Sequence, residues 1–216
     1  VSETGDRYLK AKYPKIHFHS KVCRLGSIKA GESKPSEDGT LRIVSSSNII
    51  PLKRVELIAQ ALTYNDFRLE WTHFGDGELF QRIKDISHHL PSNISVNLPG
   101  RVKPEEVLNF YVVNPVDLFL NVSTTEGVPV SIMEAFSAGI PVYATNVGGT
   151  SEIVNCGNGK LLDKDITPEN LADEIRSFNE LLPVSKLTLR KKALETYAEK
   201  CDFYELTKQL IALFNA

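Results

Sequence analysis

The stretch EGVPVSIMEAFSAGIPVYATNVGG, residues 126–149, decides how the rest of the chain reads. A short loop carrying Glu126, Gly127, Val128 and Pro129 leads into a helix that begins at Pro129 or Val130, carries Glu134 and stops at Gly139. Just upstream, the apolar run 116–122 (VDLFLNV) reads as a strand feeding that loop. Strand, glycine loop, helix start and carboxylate, in that order, suit a phosphorylated, hydroxyl-rich ligand. Free N–H groups at a helix start attract anions. A carboxylate one turn in leans back towards that start, because Cα–Cβ bonds tilt N-terminally.

Outward from this stretch the same rhythm repeats. Residues 41–44 read as a strand, 45–48 (SSSN) as a polar loop, and 51–63 as a helix opened by Pro51, with Leu52, Val55, Ile58, Ala59 and Leu62 in one apolar stripe. Residues 67–74 alternate as a strand, and Gly75-Asp76-Gly77 turns into a helix bearing Leu79, Ile83, Ile86 and Leu90. A strand at 94–98 precedes Gly100 and a helix opened by Pro104. Beyond the central stretch come a strand at 141–144, a short helix at 151–154, a strand at 159–162 and a helix opened by Pro168. This alternation predicts an α/β fold, a Rossmann-like doubly wound parallel sheet over residues 41–180. Residues 181–216 add C-terminal helices, split near Cys201-Asp202, that pack on the domain or across a cleft. Ligands of such sheets bind outside the carboxyl ends of the strands, where loops 45–48, 75–77, 99–103, 123–129 and 145–150 fall.

The totals fit an ordinary globular protein. The 216 residues are 42% hydrophobic and 24% charged, with 25 Lys plus Arg against 27 Asp plus Glu. A net charge of -2 gives nucleic acid no footing. No apolar run approaches the roughly 20 residues of a membrane span. Three dispersed cysteines point to a reducing, cytoplasmic setting rather than to disulfides or zinc. Residues 1–40 form a lead-in, with short strands expected in 15–25 and an exposed linker in 30–40. His17 and His19 would share a strand face, but with no third ligand nearby they read as surface residues. Asp163-Lys164-Asp165 has the D-x-D spacing of a metal motif, yet its place after a closing strand reads as a solvated turn.

Glu134 reads either as a solvated helix residue, with Glu126 capping the helix, or as a carboxylate buried between Ile132-Met133 and Ala135-Phe136, which without donors would cost several kcal/mol and so calls for ligand hydroxyls. At this point the central stretch resembles the E-x7-E signature of group-1 retaining glycosyltransferases of the GT-B fold. Its elements are present as Glu126, Gly127, Glu134, Ala135, Gly139, Pro141, Val142, Gly148, Gly149 and Glu152. Here Gly127 follows Glu126 directly, whereas the family often places an aromatic residue before the glycine. The resemblance covers about residues 41–180 and includes Gly75 and Gly77 as a strand-ending glycine loop and Arg101 and Val102 as a nucleobase-side segment. It implies that Lys53 contacts the donor diphosphate, with Asn48, Arg54 or Arg101 in place of an arginine usual in the family. It further implies that Glu134 binds ribose, that Glu126 contacts the donor sugar, and that the backbone from Gly127 through Val128 and Pro129 to Val130 meets sugar and phosphates.

By the same resemblance the chain is the C-terminal, donor-binding half of a GT-B enzyme. Residues 1–40 would then be the interdomain crossover. The substrate is a nucleotide-diphosphate sugar, and no metal or other cofactor is expected. A missing N-terminal domain would bind a saccharide or lipid-linked acceptor, so the isolated chain is expected to be inactive. Peripheral membrane association of the full-length enzyme at the inner face is compatible with this role. A GT-B-like epimerase or phosphorylase, or a non-catalytic nucleotide-sugar-binding module, would share these residues.

Overall fold

The computed structural model describes residues 2–16 and 20–214, so His17 and His19 lie outside the described residues. Six strands form one sheet: β1 (Leu41–Ser46), β2 (Leu69–Phe74), β3 (Ile94–Gly100), β4 (Leu118–Asn121), β5 (Val142–Thr145) and β6 (Gly159–Leu162). Their order is β3-β2-β1-β4-β5-β6 and every pairing is parallel. Ile43 lies between Trp71 on one side and Leu118 on the other. The winding direction reverses between β1 and β4, the switch point at which such sheets bind ligands, in the crevice outside the carboxyl ends of the strands.

Helices cover both faces, as a parallel sheet requires. After α1 (Glu3–Lys12), helices α2 (Val55–Leu62), α3 (Phe80–Ser87) and α6 (Pro168–Asn179) enclose a core that contains Ile58, Leu62, Trp71, Ile83 and Phe178. On the opposite face α4 (Pro104–Val113), α5 (Val130–Ser137) and α7 (Pro183–Lys200) pack around Tyr111, Phe119, Ile132 and Phe136. The two-residue period of a strand divides β4 between the cores: Leu118 and Leu120 join the first, Phe119 the second. The last element of the described residues is α8 (Phe203–Phe214), after a break at Cys201-Asp202 where Asp202 bridges Ser27.

Three expectations need correction. The helix expected over 51–63 is a 3-10 turn (Pro51–Lys53) followed by α2, with Arg54 between them in the left-handed region at φ 47° and ψ 36°. Arg54 Nε donates to the Val122 carbonyl at 2.7 Å, which fixes the bend against the end of β4. Leu52 therefore leaves the apolar stripe and is 51% exposed. Second, the described part of 15–25 contains no strand, and α1 precedes it. No residue of that helix is buried, so it has no apolar stripe to announce it. Third, 30–40 is not a free linker: Ser33 N donates to Ala138 O at 2.9 Å, and Ser36 N to Asp117 Oδ1 at 2.8 Å. The buried Asp117 carboxylate also accepts Arg42 N at 2.8 Å, and turn-forming composition cannot reveal such an anchor. Among the described residues no helix is long and apolar enough to cross a membrane.

Candidate functional site

At the reversal between β1 and β4, two segments far apart in sequence meet. Lys53 Nζ lies 2.6 Å from Glu126 Oε1. The same oxygen accepts Ser123 Oγ at 2.6 Å and Asn121 Nδ2 at 3.1 Å. Glu126 Oε2 has no donor among the described residues. Only 11% of the Glu126 side chain is exposed, against 26% for Lys53. Thr124 N donates to Leu52 O at 2.8 Å and ties the two loops together. Sequence reasoning picked out Lys53 and Glu126 separately and missed both their contact and the two polar residues beside it. Asn121 and Ser123 are the polar residues that close an apolar strand, a signal that was present but unread.

Glu134 projects from α5 and accepts no hydrogen bond from any described residue. Partial burial pushes its carboxyl up to about 7, and it stands as a half-buried acceptor without donors. The Tyr111 hydroxyl is also buried without a partner, and burial together with the Glu134 charge raises it well above its ordinary range. The N–H groups of Gly127, Val128 and Val130 find no acceptor among the described residues. Pro129, the residue before the helix, has no N–H to offer, so the expected row of amides has a gap. The Val128 side chain faces the core at 5% exposure, while Val130 is exposed.

Other anticipated residues act less directly. Gly75 has φ 146°, and a Cβ there would lie 1.8 Å from Ser47 O. A Cβ on Gly77 would lie 2.4 Å from Ile49 O. Both N–H groups are taken within the protein, Gly75 by Gly100 O at 2.9 Å and Gly77 by Asp76 Oδ1 at 2.7 Å. These glycines therefore shape the crevice by letting two loops press together. Gly148, at φ 54°, does the same on the other side, where a Cβ would fall 1.7 Å from Glu126 O. Arg54 is committed to the Val122 carbonyl and does not stand beside Lys53 as a second clamp, and its Nη2 is buried without a partner. Asn48 and Arg101 are exposed, and Val102 packs partly buried on the second core.

Beneath the loop after β1 lies a buried polar chain that sequence reasoning did not anticipate. Trp71 Nε1 donates to Ser45 Oγ at 2.9 Å, so the Ser45 hydroxyl hydrogen goes to His73 Nδ1 at 2.8 Å. His73 Nε2 then carries the proton and donates to Ser47 O at 3.1 Å. Burial depresses His73 to about 4. An unfolded histidine titrates near 6.5, so between those values unfolding takes up a proton. The stability held by neutral His73 is complete above about pH 6.5 and is lost as pH falls towards 4. The advantage of the wild type over His73→Gln in urea denaturation should therefore shrink by about 2 kcal/mol from pH 7 to pH 5. An advantage independent of pH would contradict a neutral buried imidazole.

Among the described residues no three His, Cys, Asp or Glu side chains are grouped to hold a metal. Asp163-Lys164-Asp165 sits in an exposed turn closed by Asp165 N on Asp163 Oδ1 at 2.8 Å.

Residues 29–194 match the family described as glycosyl transferases group 1. Among curated relatives, the O-antigen biosynthesis glycosyltransferase WbnH of Escherichia coli is 43% identical over 123 residues, 57% of this chain and 32% of that protein. Among solved structures, sucrose-phosphate synthase from Thermosynechococcus elongatus aligns at TM-score 0.82 and 19% identity, covering 100% of this chain and 56% of that one. A variant of TarM from S. aureus, in complex with fondaparinux, alpha-GlcNAc-glycerol and UDP, aligns at TM-score 0.76 and 22% identity. It covers 100% of this chain and 43% of that one. At these identities the two structures share the fold. The chain spans between about a third and a half of the length of the curated relatives it matches.

Proposed function

The chain belongs to the group 1 glycosyl transferases, and from that premise we propose that it binds the nucleotide-diphosphate-sugar donor of a retaining glycosyltransferase. The product would be a cell-surface polysaccharide or glycan. The reading rests on one observation above all: Lys53 paired with Glu126 at 2.6 Å, beside a loop whose helix carries a half-buried Glu134 without donors. Ribose hydroxyls supply the donors that Glu134 lacks. The diphosphate lies against Lys53 and the free amides of Gly127, Val128 and Val130, where a helix start favours anions. Glu126 Oε2 accepts from a hydroxyl of the donor sugar. As the glycosidic bond breaks, negative charge grows on the leaving phosphate and the Lys53 ammonium offsets it.

This arrangement needs no metal, because lysine and helix start provide the positive charge. Asn48 and Arg101, exposed at the strand ends, line the nucleotide side. Gly75, Gly77 and Val102 shape that side, and Arg54 holds the bend that carries Lys53. A second domain of the whole enzyme would hold the saccharide or lipid-linked acceptor, with transfer on the cytoplasmic side and peripheral attachment to the membrane. An epimerase or a tethering module would use the same donor contacts without transferring the sugar to an acceptor.

A thermal-shift panel tests the reading. A ligand that binds only the folded chain raises the melting temperature. At least one of UDP-glucose, UDP-N-acetylglucosamine, GDP-mannose and ADP-glucose should do so at millimolar concentration, and the matching nucleoside should do so less. No shift with any of the four would overturn the proposal.

A further inference from the structure

We infer that Asn121 and Ser123 are positioning residues that hold Glu126 when Lys53 leaves it for a donor's diphosphate. The inference rests on the donor-binding reading above.

The geometry is specific. Three donors converge on Glu126 Oε1. Only the lysine is charged, and only the lysine sits on a long flexible stem. While it stays 2.6 Å from this carboxylate, its charge is offset there, and full neutralisation of a diphosphate draws it away. Once it moves, a carboxylate only 11% exposed loses its counter-ion. Without other donors that cost would fall on the binding equilibrium and weaken it.

Two neutral donors stay behind, and both are fixed from the sheet. Asn121 ends β4, where it pairs with Ala144 of β5. Its Oδ1 accepts Ser123 N at 3.1 Å, so its amide orientation is set and Nδ2 must face Glu126. Ser123 is held in turn by Thr145 Oγ1, which donates to its carbonyl at 2.5 Å. The support is therefore anchored on the ends of two strands, while Lys53 approaches on a loop.

Calorimetry on Asn121→Leu and Ser123→Ala decides the matter, with UDP, GDP and the nucleosides uridine and guanosine as probes. Each variant should bind the preferred diphosphate about tenfold more weakly, the size of one hydrogen bond to a charged group. Nucleoside affinity should stay within about twofold, and Ser123→Thr should behave as wild type. In a Glu126→Gln background, where no charge contests the lysine, Asn121→Leu should cost nothing further. An equal loss for nucleoside and diphosphate, the same tenfold loss beside Glu126→Gln, or no loss would each overturn the inference. If the wild type binds none of the probes, the donor-binding reading fails instead. Ligand-free crystal structures in a Lys53→Ala background then judge the positioning claim alone. The Glu126 carboxylate should keep its place in Lys53→Ala and swing away once Asn121→Leu and Ser123→Ala are added, and a carboxylate that moves already in Lys53→Ala, or stays put without both neutral donors, would refute it.

Discussion

Lys53→Ala should weaken binding of a nucleoside diphosphate by about 2–3 kcal/mol, roughly 30- to 150-fold, and leave nucleoside affinity nearly unchanged. Two effects act in the same direction. The variant loses a charge-assisted contact to the phosphates. It also leaves Glu126 without its cation at 2.6 Å, so the incoming diphosphate meets an unneutralised carboxylate. The second effect separates a phosphate role from a purely structural one. Adding Glu126→Gln to Lys53→Ala should recover part of the lost affinity by removing that like charge. Isothermal titration of UDP and uridine, or GDP and guanosine, against the four proteins gives the coupling directly. Equal losses for nucleoside and diphosphate would refute the assignment of Lys53.

Glu134→Gln should have opposite effects on stability and on binding. The folded carboxyl keeps its proton up to about 7, well above the ordinary value of 4.5. Between those two values the folded state binds the proton and the unfolded state does not. The stability tied to this group is therefore complete below about 4.5 and is lost as pH rises through 7. At pH 8 the ligand-free protein carries a costly carboxylate, and glutamine should stabilise it by about 2–3 kcal/mol. Ribose hydroxyls, by contrast, donate to the ionised form. Wild-type affinity for a nucleoside should rise about tenfold from pH 6 to pH 8, with release of a proton. In Glu134→Gln that affinity should be weaker and flat with pH. A higher melting temperature together with weaker, pH-independent binding is the pattern of a group kept for function at a cost to the fold. A variant that is less stable and binds normally would show that Glu134 serves packing alone.

The alternation of apolar strands with one-sided helices made the architecture legible, because a parallel sheet covered on both faces leaves few other ways to bury Ile58, Trp71, Phe119 and Phe136. What escaped the sequence was of one kind. Helix α1 buries nothing and therefore shows no stripe. The bend at Arg54 depends on a carbonyl 68 residues away in the chain, and the anchoring of Ser36 on a carboxylate 81 residues away. Local pattern carries no trace of such partners.

The site divides in the same way. The sequence alone put Glu126 and Glu134 at a loop and a helix start beyond a strand end, and the resemblance to a family added Lys53. Only the tertiary structure decided that Lys53 and Glu126, 73 residues apart, share one contact, that Asn121 and Ser123 converge on the same oxygen, and that Glu134 has no donor of its own. The physical reason is that a side chain's identity is local, whereas its partner and its solvation depend on which strands the sheet sets side by side.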